Sequence, residues 1–310
     1  MKFAILGAGG TGGCLAGYLI QAGNDVTVLA RGAHLAAMQK DGLTIHRDAG
    51  EDIHVAADAF TACTADAYHE TPDVLLVCVK YYSIADAITL AKRVAGPDTL
   101  ILPILNVFGT GEVMQKELPG LTCLDGCIYI WALREGPGVI SQSGKILRVF
   151  FGFRPGQDGR LAPKAQEVEN IMRDASIHAH FSDDIRRDAL QKFSFVSPMG
   201  ACGLYEHAVS GDMQPGGRAR DTFIELVKEV KALGEAMGIA FSREPVAAGK
   251  EIMDASAPTL TTSMQRDVAA GGRSEFSGLV DRVVSLAETY HVDVPLYQKI
   301  SAWGKENGIQ

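Results

Sequence analysis

The sequence predicts an α/β protein in two parts, a parallel sheet with flanking helices over residues 1–182 and an all-α domain over residues 183–310. Three observations carry that expectation. Short apolar runs alternate with helical patterns in the first half, as βαβ units do. The first run leads straight into a glycine-rich turn, Gly7-Ala8-Gly9-Gly10-Thr11-Gly12. Beyond Asp183 the sequence reads as helical throughout, with apolar residues at three- and four-residue spacing.

The elements follow in order. Lys2 to Leu6 reads as a buried strand, and Thr11 to Gln21 as the helix after it, with small residues on the side that packs closely. Asp25 to Leu29 is the second strand. Asp73 to Val79 is nearly all apolar, which suits a parallel sheet covered on both faces. Ile84 to Val94 is its following helix, and Leu100 to Leu105 is again strand-like. From about residue 121 the pattern changes. Leu121 to Leu133, the turn Gly136-Pro137-Gly138, and the runs Val139 to Ser143 and Ile146 to Phe151 read as antiparallel strands joined by turns. Pro163 to Arg173 is a short helix and residues 176–182 a last strand. Thr222 to Met237 and Phe276 to Tyr290 carry apolar stripes that bury against one another or against a second subunit, which leaves a homodimer open.

Composition narrows the function classes. With 29 basic and 37 acidic residues the net charge is −8, so a general nucleic-acid partner is excluded by repulsion from phosphate backbones. No run of 18 apolar residues exists, so no membrane partner is expected. Lys2 before an apolar stretch imitates a signal peptide, but the glycines there fall at a functional spacing. The six cysteines, Cys14, Cys63, Cys78, Cys123, Cys127 and Cys202, are scattered and form no C-x-x-C, as expected of free thiols in a reducing cytosol. A cytoplasmic location follows as an expectation. No metal is expected: Cys123 and Cys127 lack partners at zinc spacing, and His178 and His180, on one face of a strand, have no carboxylate or Cys cluster beside them in sequence.

The glycine turn is G-x-G-x-x-G, a weak signal alone but a strong one between a strand and a helix. Gly7 permits the tight turn, Gly9 lets the backbone approach a pyrophosphate, and Gly12 lets helix and strand pack closely. The helix N-terminus adds free N–H groups and partial positive charge. A Rossmann-type dinucleotide-binding domain is therefore expected, with Gly7, Gly9, Gly10, Thr11 and Gly12 around the cofactor. An NAD site usually has Asp or Glu at the end of the second strand. That strand runs into Ala30-Arg31-Gly32, and the Arg31 guanidinium suits a 2′-phosphate by charge and fork geometry, so NADP(H) is the expected cofactor.

A dinucleotide domain followed by a helical one suggests a reductase. Hydride delivery to a carbonyl carbon leaves an alkoxide that needs a proton. The helical part offers Lys192, between Gln191 and Phe193, and Glu275, after Arg273-Ser274. By spacing alone each is equally a solvated surface charge.

The glycine loop, Arg31, Val79-Lys80, Leu102-Pro103-Ile104-Leu105-Asn106, Gly136-Pro137-Gly138, Lys192, Ser263-Met264-Gln265-Arg266-Asp267 and Gly272-Arg273-Ser274-Glu275 follow one another in that order. Taken together, these motifs are similar to those of the ketopantoate reductase family, nearly end to end. The resemblance implies NADPH-dependent reduction of a small 2-oxo acid, 2-dehydropantoate to pantoate in pantothenate biosynthesis. It implies Lys192 as general acid, and Glu275 bonding the substrate hydroxyl and orienting the lysine. On physical grounds, flanking apolar groups such as Phe193 and Phe195 are expected to lower the lysine's pKa towards working pH. Ser263 would contact the substrate carboxylate, and Lys80 and Asn106 would hold nicotinamide and substrate in register. The chain departs from the family pattern at Ser83, Val107, Val196 and Gly200, where amide or glycine residues are usual. Loss of such amides shifts specificity, so the alternatives are a paralogue acting on another 2-oxo acid or ketone and a regulator that senses NADPH without turnover.

Overall fold

The computed structural model describes residues 1–309. The chain forms two compact units. The first comprises Met1–Leu105 and Gly109–Ile185; the second comprises Asn106–Phe108 and the chain from Arg186 onward. A division in sequence order places Asn106–Phe108 in the first domain, whereas the contacts of these three residues place them in the second.

The first unit contains two sheets. The strands of the first are β1 (Lys2–Leu6), β2 (Asp25–Leu29), β5 (Thr61–Cys63), β6 (Val74–Val77), β7 (Leu100–Pro103) and β8 (Thr122–Cys123), in spatial order β5-β2-β1-β6-β7-β8. All its pairings are parallel. The four residues of β6 are buried without exception, as a strand covered on both faces requires. The second sheet contains β3 (Leu43–Arg47), β4 (Ile53–Val55), β9 (Asp125–Gly136), β10 (Val139–Gly152) and β11 (His178–Phe181). β9 pairs antiparallel along one side of β10, while β3 and β11 pair parallel with its two halves. The helices of this unit are α1 (Gly10–Gln21), α2 (Gly32–Asp41), α3 (Ile84–Val94), α4 (Thr110–Glu117) and α5 (Ala162–Asp174).

Two readings of the strand-rich segment are corrected. Val139 to Ser143 and Ile146 to Phe151 are not separate strands joined by a turn but parts of β10. Gly144, at φ 71°, absorbs the extra residues in a bulge, and the register against β9 shifts between Ser143 and Leu147. Leu121 to Leu133 is not one strand either: Thr122–Cys123 closes the parallel sheet, and after Leu124 the chain enters the second sheet as β9. Pro137-Gly138 makes the β9–β10 connection, with Gly138 at φ 72°.

One helix serves both sheets, and its composition explains how. α1 follows β1 and packs on the parallel sheet through Gly12, where a Cβ would stand 1.9 Å from the Gly7 carbonyl oxygen. Its other side meets the second sheet: a Cβ on Gly10 would lie 2.4 Å from the Ala132 carbonyl oxygen, and one on Gly13 2.8 Å from the Ile140 side chain. One continuous core results, running from Phe3, Ile5 and Leu15 through Ile45 and Ile140 to Val149 and Met172. The opposite face of the parallel sheet is covered by α3, whose buried Ile84, Ala87, Leu90, Ala91 and Val94 fall at helical spacing.

The second unit is helical: α6 (Ile185–Tyr205), α7 (Ser210–Met213), α8 (Arg218–Ala236), α9 (Pro245–Ala255), α10 (Ser263–Ala269), α11 (Arg282–Tyr290) and α12 (Pro295–Glu306). A π-turn, Ser277–Asp281, leads into α11. Among the described residues no helix is long and apolar enough to cross a membrane, every cysteine is free, and no cluster of His, Cys, Asp and Glu could hold a metal ion.

Gly to Ala inside a helix normally stabilises by about 1 kcal/mol. Gly12→Ala is expected to do the reverse and lower unfolding free energy by roughly 2 kcal/mol or more, because backbone oxygen cannot yield to the new methyl. Urea unfolding against wild type measures it.

Candidate active site

In the first unit the expected cofactor residues gather at the carboxyl ends of parallel strands. The chain runs from β1 to β2 on one side, and β6 lies on the other, so the order reverses between β1 and β6. Ligands of open α/β sheets bind at such a switch point. The glycine loop leaves β1 there. Gly7 turns at φ 96°, close against the Cys78 carbonyl that follows β6, and its N–H bonds Leu29 O at 3.1 Å. Gly9 caps α1 with no side-chain acceptor, and the first-turn amides of Gly10, Thr11 and Gly12 have no intrahelical partner to bond. Gly9 is exposed, and a Cβ built on it meets nothing within 4 Å. These features fit a pyrophosphate: uncovered backbone, free amides and a helix N-terminus.

Arg31 sits two residues past β2, exposed, as the N-terminal cap of α2. It makes no ion pair among the described residues, and no carboxylate occupies the end of β2. Lys80 lies three residues past β6, half-buried, where it begins a short 3₁₀ turn.

His34 is a residue that local sequence pattern gave no reason to single out. It is 5% exposed on α2 and bridges the glycine loop to the Pro137-Gly138 turn. Its Nδ1 accepts the Gly138 N–H at 2.9 Å, so Nε2 carries the proton and donates to the Ala8 carbonyl at 2.8 Å. The neutral ring is therefore the form that fits. Burial lowers its pKa, with the Arg134 charge acting the same way and the Ala8 and Gly136 carbonyls pulling against both.

The second unit holds the remaining candidates, and α6 organises them. Lys192 is 8% exposed and its Nζ donates to Asn106 Oδ1 at 2.6 Å. The predicted flanking rings have different fates. Phe193 is buried and meets Phe108 at a centroid distance of 6.2 Å, while Phe195 packs on Phe223 at 5.9 Å. Two turns further along α6, a Cβ on Gly200 would lie 2.7 Å from Met264 Cε, and one on Gly203 would lie 2.5 Å from the Gln265 amide. The missing side chains let α10 lie on α6. Ser263 opens α10, half-buried, behind the capping box of Thr262 and Gln265. Glu275 is 3% exposed and immediately precedes Phe276, whose N–H is capped by Ser274 Oγ at 3.2 Å. Lysine, asparagine, serine and glutamate thus all belong to one unit, with the lysine and asparagine in direct contact.

The fold defines a class: an α/β unit with a glycine-rich turn between its first strand and helix, followed in the chain by a helical unit that carries a buried lysine and glutamate. Family models described as "Ketopantoate reductase PanE/ApbA" and "Ketopantoate reductase PanE/ApbA C terminal" match residues 3–156 and 184–306. The chain belongs to the ketopantoate reductase family and is an oxidoreductase of the kind that acts on a CH–OH group. It is 25% identical over 296 residues to a 2-dehydropantoate 2-reductase of Pyrococcus horikoshii, covering 96% of this chain and 94% of that protein. It is 23% identical over 303 residues to the uncharacterized oxidoreductase YkpB of Bacillus subtilis, covering 97% of each. Among solved structures it resembles a PanE/ApbA family ketopantoate reductase from Ralstonia eutropha, with TM-score 0.86, 22% identity, and 98% and 97% of the two chains covered. A D-mandelate dehydrogenase, solved with NADH and anilino(oxo)acetate, matches with TM-score 0.86, 19% identity, and 97% and 96% covered.

The His34 bridge sets a pH dependence. Its folded pKa lies below the ordinary 6.5, so the unfolded chain takes up the proton first as pH falls. The stability it contributes is complete above pH 6.5 and is lost as pH drops through that value towards the lower folded pKa. Urea midpoints measured across this range should decline on the acid side, and His34→Gln should remove this component of the decline.

Proposed function

We propose that this protein uses NADPH to reduce a 2-oxo acid to the 2-hydroxy acid, and that its substrate is 2-dehydropantoate, converted to pantoate on the route to pantothenate. One observation carries the reading: the Lys192 ammonium is buried and donates to Asn106 Oδ1 at 2.6 Å. Surface lysines are mobile and solvated, whereas one held this way is aimed.

When bound, the reduced nicotinamide supplies a hydride to the substrate carbonyl carbon. Lys192 then acts as general acid and gives a proton to the oxygen on which charge develops. Asn106 Oδ1 accepts a hydrogen bond from one of the ammonium's three N–H groups and thereby fixes its direction. Glu275 accepts from the substrate hydroxyl and orients the lysine, and Ser263 donates to the substrate carboxylate. Lys80 and Asn106 keep nicotinamide and substrate in register. Gly7, Gly9, Gly10, Thr11 and Gly12 hold the pyrophosphate, and Arg31 binds the 2′-phosphate. Support for NADPH over NADH comes from that exposed guanidinium and from the absence of a carboxylate at the end of β2.

A second reading has its own observation. Two positions on α6 where the family usually carries asparagine hold Val196 and Gly200, and Gly200 lies against Met264. Fewer amides suit a more apolar 2-oxo acid.

NADPH oxidation with 2-dehydropantoate and a panel of branched and aromatic 2-oxo acids tests both. Turnover of 2-dehydropantoate supports the first reading, and turnover only of another acid supports the second. Silence across the panel with tight NADPH binding marks a sensor and overturns both. Lys192→Ala should lose roughly 10²–10⁴-fold in turnover while NADPH binding persists. Arg31→Ala should weaken NADPH by roughly 10- to 100-fold, the worth of a charged hydrogen bond, and leave NADH unchanged. A wild-type preference for NADH would overturn the cofactor assignment.

A further inference from the structure

The π-turn after Glu275 is held from outside. Leu279 N–H bonds the Glu275 carbonyl at 2.9 Å, so the turn and the glutamate backbone form one piece. π-turns break the regular ladder and concentrate at functional sites. The Leu279 carbonyl here accepts from Ser197 Oγ at 2.5 Å. Ser197 is fully buried on α6, five residues after Lys192. The hydroxyl of Tyr297, on α12 and also fully buried, lies 2.6 Å from the same Oγ.

Proton accounting gives the chain a direction. A carbonyl only accepts, so the single Ser197 proton points to Leu279 O, and the Tyr297 hydroxyl must donate to Ser197. Burial raises the Tyr297 pKa far above the ordinary range, so that donor keeps its proton at any working pH. The start of α12 is anchored in turn. Its cap residue, Val294, offers no oxygen, and Glu229 of α8 accepts the N–H groups of Leu296 and Tyr297 at 2.8 and 3.0 Å instead. The path Glu229–Tyr297–Ser197–Leu279–Glu275 is therefore continuous.

We infer that Ser197 and Tyr297 are positioning residues for the reaction assigned above: they lock the turn that carries Glu275 to the helix that carries Lys192. The inference rests on the roles given there to Lys192 and Glu275. On the roles assigned above, Glu275 orients the Lys192 ammonium, so displacement of Glu275 shifts the titration of Lys192.

The test reads that titration directly. NMR of protein labelled with isotope-enriched lysine, with the Lys192 signal assigned through Lys192→Arg, gives its midpoint without any turnover. The set is wild type, Ser197→Ala, Tyr297→Phe and the control Ser210→Ala. The control removes a buried hydroxyl that bonds Ala257 O at 2.5 Å elsewhere in the same unit. The Lys192 midpoint should move by roughly half a pH unit or more in Ser197→Ala. It should move less in Tyr297→Phe, which keeps the Ser197 bond, and stay in place in the control. The alkaline limb of kcat should follow, with kcat down roughly tenfold, as small misplacements cost, and NADPH affinity unchanged. If Ser197→Ala does not fold, the near-isosteric Tyr297→Phe carries the test. Wild-type midpoints and kcat in both variants, with only Tm lowered, would overturn the inference. A shifted midpoint in an enzyme that reduces no 2-oxo acid would uphold the coupling and sink the assigned reaction instead.

Discussion

Burying an ammonium is the constraint around which the second unit is arranged. A lysine cation removed from water is costly unless hydrogen bonds replace its hydration. Asn106 supplies one at 2.6 Å, and to do so the chain leaves β7 and contributes three residues to the other unit before returning at α4. The return is prepared locally. Gly109 turns at φ 74°, and Asp125 Oδ1 accepts the Gly111 N–H at 2.7 Å, fixing the first turn of α4. Asp125 is itself buried, with its pKa raised by that burial and opposed by Arg154 at 3.3 Å. An excursion of three residues, one amide and two buried apolar side chains, is thus followed by a turn that a second buried charged group secures.

Missing side chains do comparable work at two helices. α1 touches both sheets because Gly12 faces one and Gly10 and Gly13 face the other. α6 receives α10 because Gly200 and Gly203 leave room for Met264 and Gln265. In both cases the glycines forgo some helix propensity, and packing density from the neighbouring element offsets it. Glycines of this chain thus serve helix contacts as well as left-handed turns such as those at Gly109 and Gly138.

Much of this was legible in the sequence, and the limits have physical causes. β1, α1, β2 and α3 follow from local pattern because a buried parallel strand and an amphipathic helix each carry their own periodicity. Lys192 and Glu275 stood out only through their resemblance to family motifs, since burial is what separates them from surface charges and no local pattern encodes it. Ser143-Gly144-Lys145 reads as a turn in sequence and is a bulge in the sheet, because such a triplet serves either purpose until the partner strand is known. His34, Ser197 and Tyr297 were not legible at all: their partners lie 104, 82 and 100 residues away.

The excursion through Asn106 bears on how such a chain can be divided. A cut between the family segments at residues 156 and 184 looks natural on paper. A fragment beginning there would retain the lysine and forfeit the oxygen that makes its confinement tolerable. Shuffling this helical half onto another nucleotide-binding scaffold would demand that the new host provide a surrogate amide. The lysine of the helical half therefore depends on a residue that the chain supplies eighty-six positions earlier.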